Sequence, residues 1–324
     1  MRVHLVLLII LELSYAPLLM AEYLRGETER YAERSKQRYE EELYVSNDIT
    51  DVGYNYTRYR LFRPDTRIVG GTYASNLNLD TSYVVSLQDR DRNHYCGATL
   101  ITRDCILTAA HCSNKATGKG PLTAVVGRNK LSDTRRGERK QVGIEFVHPN
   151  YDLSLVGVQW KYDFAVMCFR QPVALTNNIL PLNKISTAPR TTSLVQVFGW
   201  GDTNKDANIR EVSDDLKVAK LRVVASSTCD TNYQAYARGR ESRVITDDMM
   251  CAMHRFQDSC QGDSGGPLVF SGKIVGITSW GVECNNRNFP GVYARISSGY
   301  EWIQKKVCVY SKYKSDFNCE EIIW

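Results

Sequence analysis

The sequence predicts an all-β fold, a barrel or a sandwich held by disulfides, and three observations carry that reading. Short runs of Val, Ile, Leu and Tyr recur between Gly, Asn, Asp and Pro from residue 83 to residue 277, without the alternating helical stretches of βαβ units. One stretch alone, near the C-terminal end, has a helix's composition and start signal. Ten cysteines, an even number, all lie beyond residue 95. With 43% hydrophobic and 24% charged residues, the 324-residue chain is an ordinary folded protein, which excludes collagen-like, coiled-coil and mostly disordered classes. A net charge of +5, with no Lys/Arg run longer than two, reads as a solvated surface and excludes nucleic acid as a partner.

Taken in chain order, residues 1–21 read as a secretory signal peptide. Arg2 precedes the apolar run Leu5–Leu11, and small residues follow at Ala16 and Ala21. The run is far shorter than the roughly 20 residues a membrane span needs, so no membrane anchor is expected. Pro17 disfavours a cut after Ala16 and points to one near Ala21. The mature protein is expected to be secreted and extracellular, where disulfides form. Residues 22–67 hold nine basic and ten acidic side chains, seven tyrosines and no cysteine, with no sustained period. They read as a charged, flexible pro-segment. Asn55-Tyr56-Thr57 is an N-glycosylation sequon within it.

The β texture follows. Strands are expected at Tyr83–Leu87, Thr123–Val126, Ile144–Val147, Phe164–Met167, Leu194–Phe198 and Ile274–Ile277. The terminal helix is expected to start near Ser297-Ser298-Gly299, with a serine cap, and to run through Lys305-Lys306. No internal repeat is present.

Three segments carry chemistry. Gly262-Asp263-Ser264-Gly265-Gly266-Pro267 is a turn in which glycines permit positive φ and close approach of a substrate backbone. The N–H groups of Gly262 and Ser264 can converge there on a developing oxyanion. Thr108-Ala109-Ala110-His111-Cys112 sets a histidine beside a cysteine at the end of an apolar run, and Asp163 stands at the edge of a buried strand, where a carboxylate needs a partner. Each segment alone has a structural explanation: a tight turn, a satisfied core histidine, a capped strand. Together they suggest Ser264 as nucleophile, His111 as base and Asp163 as its orienter, with Asp152 as the alternative acid. Zinc is the weaker account of the cysteines, since no C-x₂-C or H-x₃₋₅-H spacing occurs.

These segments, with Arg67-Ile68-Val69-Gly70-Gly71, Gly199-Trp200-Gly201, Asp258-Ser259-Cys260-Gln261, Ser279-Trp280-Gly281 and Pro290-Gly291-Val292-Tyr293, resemble the trypsin-like serine proteases of the chymotrypsin family in type and order, over roughly Ile68 to Lys306. The resemblance implies two six-stranded antiparallel β-barrels, chymotrypsin-like, with a C-terminal helix and the active site in the cleft between barrels. The protease domain would span 68–306 and a C-terminal extension 307–324. It assigns the triad His111, Asp163 and Ser264, the oxyanion hole of Gly262 and Ser264, and a hydrogen bond from Ser279 to the aspartate. Asp258 falls at the base of the primary specificity pocket, with Ser259, Ser279, Trp280, Gly281 and Gly291 lining the substrate site. A carboxylate at that base implies cleavage after Arg or Lys. Glu283, where relatives usually carry glycine, departs from the pattern; it reinforces basic selectivity, crowds the entrance or faces solvent.

The resemblance also makes Arg67-Ile68 an activation site, at which the freed Ile68 ammonium pairs with Asp263, and it gives His94 the place of a histidine that holds that aspartate before cleavage. The implied disulfides are Cys96–Cys112, Cys229–Cys251 and Cys260–Cys284; Cys105–Cys168 and Cys308–Cys319 complete the set. No metal or cofactor is expected, because Arg128, Lys130, Arg135 and Arg136 crowd the loop where trypsin relatives bind calcium. Expected partners are protein or peptide substrates with Arg or Lys at the cleaved bond, an activating trypsin-like protease (the enzyme itself included) and protein protease inhibitors. The expected state is a monomer.

Overall fold

The computed structural model describes residues 71–74, 81–118, 122–153, 160–174, 189–202, 212–237, 244–255, 257–282, 284, 286, 288–317 and 319, all within a unit spanning Pro64–Trp324. The expected signal and pro-segments, with Asn55, Arg67, Ile68 and Glu283, lie outside the described residues.

The short strand β1 (Thr72–Tyr73) opens the described chain. β2 (Val84–Gln88), β3 (His94–Thr102), β4 (Cys105–Thr108), β5 (Thr123–Val126) and β6 (Glu138–Val147) follow. Two-residue strands β7 (Asp152–Leu153) and β8 (Trp160–Lys161) pair with each other before β9 (Ala165–Phe169). The first barrel closes in the order β2-β3-β4-β9-β6-β5. β10 (Leu194–Gly199), β11 (Lys217–Val224), β12 (Met249–Met253), β13 (Pro267–Phe270), β14 (Lys273–Trp280) and β15 (Gly291–Arg295) form the second, which β11–β12 pairing closes; β1 adds to β11. All pairings are antiparallel, and closure leaves neither barrel an open edge.

Burial explains why these segments are strands. All nine residues of β3 and all five of β2 and of β9 are buried, which suits β-branched and small residues covered on both faces. Val84, Leu87, Leu100, Ile106 and Val166 belong to the first barrel's core; Val195, Val197, Leu221, Met250, Leu268 and Tyr293 fill the second. Each such side chain contributes about 1.5–3 kcal/mol by leaving water.

Five disulfides, Cys96–Cys112, Cys105–Cys168, Cys229–Cys251, Cys260–Cys284 and Cys308–Cys319, use all ten cysteines. Cys105 and Cys168 stand opposite each other across β4 and β9.

Two helical features depart from the sequence expectation. A helix over Ser226–Ala237 was not legible, because among its described side chains only Cys229 and Tyr233 are buried; the Cys251 disulfide and a Tyr233 hydroxyl bond to the Pro290 carbonyl (2.7 Å) anchor it from outside. The terminal helix runs Ile296–Tyr310, starting before the serines, so Arg295 stands at its N-cap without a side-chain capping bond. Ser298 instead donates to the Asp247 carbonyl at 2.9 Å. Gly299 faces the ring of Phe164, where a Cβ would come within 2.8 Å. Beyond the helix the chain returns to the β3–β4 turn. There buried Asp104 accepts from Ser311 Oγ (2.6 Å) and the Lys312 N–H (2.8 Å), and Asp316 meets the Arg103 guanidinium at 3.3 Å.

Candidate active site

β4 leads directly into a single 3₁₀ turn, Ala110–Cys112, which presents His111; the Cys96–Cys112 disulfide ties that turn back to β3. β9 begins just after Asp163. The pairing of Thr108 with Ala165 therefore brings together two residues 52 apart in sequence. Asp163, fully buried, accepts the His111 backbone N–H at 2.9 Å and faces His111 Nδ1 at 2.7 Å. Ser279 Oγ donates to the same carboxylate at 2.6 Å. With three polar partners the buried charge is compensated, and Nδ1 is fixed as the protonated nitrogen, leaving Nε2 as the basic one. Asp163 is the acid that meets the histidine; the side chain of the alternative, Asp152, lies outside the described residues.

Three supports of Asp163 escaped sequence reasoning. Tyr162 has φ 48°, a strained value for a residue with a side chain, and its N–H donates to Asp248 Oδ2 at 2.6 Å. His148 stacks on the Tyr162 ring at 4.8 Å between centroids and 10° between planes. Burial lowers the His148 pKa, opposed by the Asp248 charge, and its Nδ1 accepts the Asn150 N–H. Nothing in their spacing marked these residues as neighbours.

Ser264 sits in a turn whose glycines are required by packing. Gly262 and Gly265 have φ of 99° and 80°. A Cβ on Gly265 would lie 2.2 Å from Thr108 Oγ1 and 2.4 Å from the Gly97 carbonyl, so the turn presses on the first barrel rather than merely leaving space for substrate. The Ser264 carbonyl accepts the Gly97 N–H at 2.7 Å. The N–H groups of Asp263, Gly265 and Gly266 are spent on backbone carbonyls, whereas those of Gly262 and Ser264 have no partner among the described residues. Two unspent donors flanking a serine are what an anion-stabilising hole requires.

A cavity of about 190 Å³ opens beside Ser264. Asp258, Ser259, Ser279, Trp280, Gly281 and Gly291 all line it, and the Cys260–Cys284 disulfide frames it. Asp258 is 6% exposed, and Gly291 leaves room beside it, since a Cβ there would be 3.3 Å from its carboxylate. Ser259 Oγ bonds the buried Tyr293 hydroxyl at 3.0 Å. Two further wall residues, Phe289 and Trp160, were missed by sequence reasoning; the Trp160 indole lies against the His111 ring at 4.1 Å between centroids.

Asp263, beside the nucleophile, is fully buried, and its carboxylate accepts the N–H groups of Gly201 and Cys260, each at 2.8 Å. Burial raises its pKa to about 7 despite those bonds. His94 bonds Ser86 Oγ and the Gly262 carbonyl, each at 2.9 Å, and so steadies the turn that carries the oxyanion donors. Cys96, His111 and Cys112 lie within metal-ligand range of one another, but the two sulfurs form a disulfide and offer no thiolate.

The sequence profile of the Trypsin family matches residues 68–303. Trypsin 5G1 of Aedes aegypti is 32% identical over 251 residues, covering 76% of this chain and 87% of that protein. Trypsin iota of Drosophila melanogaster is 32% identical over 74% of this chain and 88% of its own length. The clotting factor G beta subunit of Tachypleus tridentatus is 33% identical over 75% of this chain and 81% of its own. Two closed antiparallel barrels, a serine, histidine and buried aspartate at their junction, and these likenesses lead to one conclusion: the chain belongs to the trypsin family and is a serine endopeptidase.

Proposed function

We propose that this protein is secreted as a zymogen, is activated by cleavage after Arg67, and then hydrolyses polypeptides after Arg or Lys. Ser264 Oγ attacks the scissile carbonyl while His111 Nε2 takes its proton, Asp163 holding the imidazole and stabilising the imidazolium. The oxyanion is received by the N–H groups of Gly262 and Ser264. His111 returns the proton to the leaving amine, and water, deprotonated in turn by His111, hydrolyses the acyl-enzyme. Cleavage frees the Ile68 ammonium to pair with Asp263 and set the turn for catalysis. Arg67 at the cut makes the activator a protease of similar preference, this enzyme included. The five disulfides fit an extracellular setting.

One observation carries the specificity: Asp258, almost wholly buried, lines the same cavity as Ser264. A basic side chain entering there meets an opposite charge in a largely desolvated setting, where a charge-assisted pair is strongest. The test uses the chain cleaved at Arg67 by a removable protease, with Ser264→Ala as control, on peptides differing only in Arg, Lys, Phe or Ala before the scissile bond. Arg and Lys turnover that vanishes in the control is expected. Turnover of Phe or Ala instead overturns the role of Asp258, and none on any peptide overturns the catalytic reading.

A further inference from the structure

The β5–β6 connection is built around an arginine. Arg128, only 5% exposed, donates Nε to the Arg136 carbonyl at 3.0 Å and a terminal nitrogen to the Leu131 carbonyl at 3.3 Å. Gly137, at φ 76°, closes the loop so tightly that a Cβ would meet the Val126 carbonyl at 2.6 Å. A guanidinium is thus a fixed part of the loop. Around it, the Arg135 and Arg136 side chains are 94% and 83% exposed. Arg139 is exposed on β6, and Arg92 is exposed at the β2–β3 turn. Burial first, and then the charges of Arg92 and Arg128, lower the pKa of Arg139, so each of those two arginines repels Arg139. None of these three has a salt-bridge partner among the described residues, while Asp133 contacts Arg135 and Arg136 at 3.7 and 3.6 Å. Arg92 is moreover held at φ 69°, a conformation Gly or Asn adopts more cheaply. The repulsion is a cost that an oxyanion partner would offset, and arginine forks match carboxylates two bonds at a time.

We propose that Arg92, Arg135, Arg136 and Arg139, arranged around the buried Arg128, form a docking surface for an acidic segment of a polypeptide, outside the catalytic cleft. The interspersed carboxylates favour a polypeptide over a polysulfated saccharide. Asp133 sits between Arg135 and Arg136, and Glu138 pairs with Lys140 at 2.8 Å. Spaced Asp and Glu side chains can register between such groups; a sulfate at every step cannot avoid them. Arg92 is also two residues from His94, whose ring bonds the Gly262 carbonyl beside Ser264. Arg92 thus lies on the same hairpin as a residue bound to the turn that carries Ser264.

The test has two arms. In the Ser264→Ala full chain, binding of a fluorescent glutamate-rich peptide is read by anisotropy, alone and against a heparin fragment. In the enzyme activated at Arg67, kcat/KM is compared for two peptides sharing one scissile sequence, one bearing a glutamate-rich extension. The variants are Arg92→Asn/Arg139→Gln and Arg135→Gln/Arg136→Gln; Arg128, which holds the loop, is left alone. The extension is expected to raise kcat/KM about tenfold, an advantage that added salt and both variants remove while the plain peptide is cleaved as before. No effect of the extension, an advantage that survives in the variants, or heparin binding without glutamate-peptide binding overturns the proposal.

Discussion

At the residue scale, the proposed mechanism turns on how one buried carboxylate is satisfied. Asp163 accepts from the His111 amide, His111 Nδ1 and Ser279 Oγ. Asp163→Asn presents an NH₂ to Nδ1, selects the wrong tautomer, and is expected to lower kcat by about 10⁴-fold with the fold intact, as single-turnover kinetics would show. Ser279→Ala removes one donor to a charge, about 1.5–3 kcal/mol, and should lower kcat roughly tenfold or more with KM little changed. A larger change in KM than in kcat would instead place Ser279 in substrate binding. Asp258→Ser should abolish the preference for Arg and Lys by at least about 100-fold in kcat/KM, because those side chains lose their counter-charge. The residues proposed for these roles stood out in the sequence because each carries a chemistry its local sequence does not explain: an acid before a buried strand, a serine among glycines. Tyr162, His148, Trp160 and Phe289 did not, since an aromatic residue looks the same in sequence whether it packs a core or walls an active site.

At the element scale, pattern succeeded where a strand's own residues dictate its burial and failed where a neighbour does. Thr123–Val126 was expected and is β5. β3 was not expected, because polar His94 and Thr102 and small Gly97 hide a strand whose nine positions are all buried. The terminal helix was expected, but its first turn was misplaced: Ser298 bonds the Asp247 carbonyl across a loop rather than capping its own helix. That helix bears on catalysis through Gly299, which meets the ring of Phe164, the residue after Asp163. Alanine there gains about 1 kcal/mol of helix propensity, which blurs the clash. Valine gains less and is larger. Gly299→Val is therefore expected to cost about 1–3 kcal/mol by overpacking, lowering the melting midpoint by several degrees, and to reduce kcat more than KM through displaced Phe164 and Asp163. An unchanged midpoint would mean that the helix shifts freely and does not position the aspartate.

At the scale of the whole molecule, cleavage should reverse how stability depends on pH. In the uncut chain Asp263 is buried with a pKa of about 7 against an ordinary 3.8. The unfolded chain releases this proton near pH 4 and the folded chain only near 7. The folded state therefore binds more protons in between, and the stability contributed by this group falls as pH rises across that window. After cleavage, the proposed Ile68 ammonium would supply the missing counter-charge. Its own pKa is then raised above the usual value of about 8, so its contribution is fully present below about pH 8 and is lost as pH rises through the folded value. Melting midpoints would be compared for Arg67→Gln, which keeps the chain uncut, and for cleaved Ser264→Ala, each against the same protein carrying Asp263→Asn. The difference attributable to Asp263 should shrink from pH 4 to 7 in the uncut chain, and in the cleaved chain should hold to about pH 8 and then decline. Identical profiles in the two forms would mean that the new terminus does not reach Asp263, and the activation step would then have to act through another group.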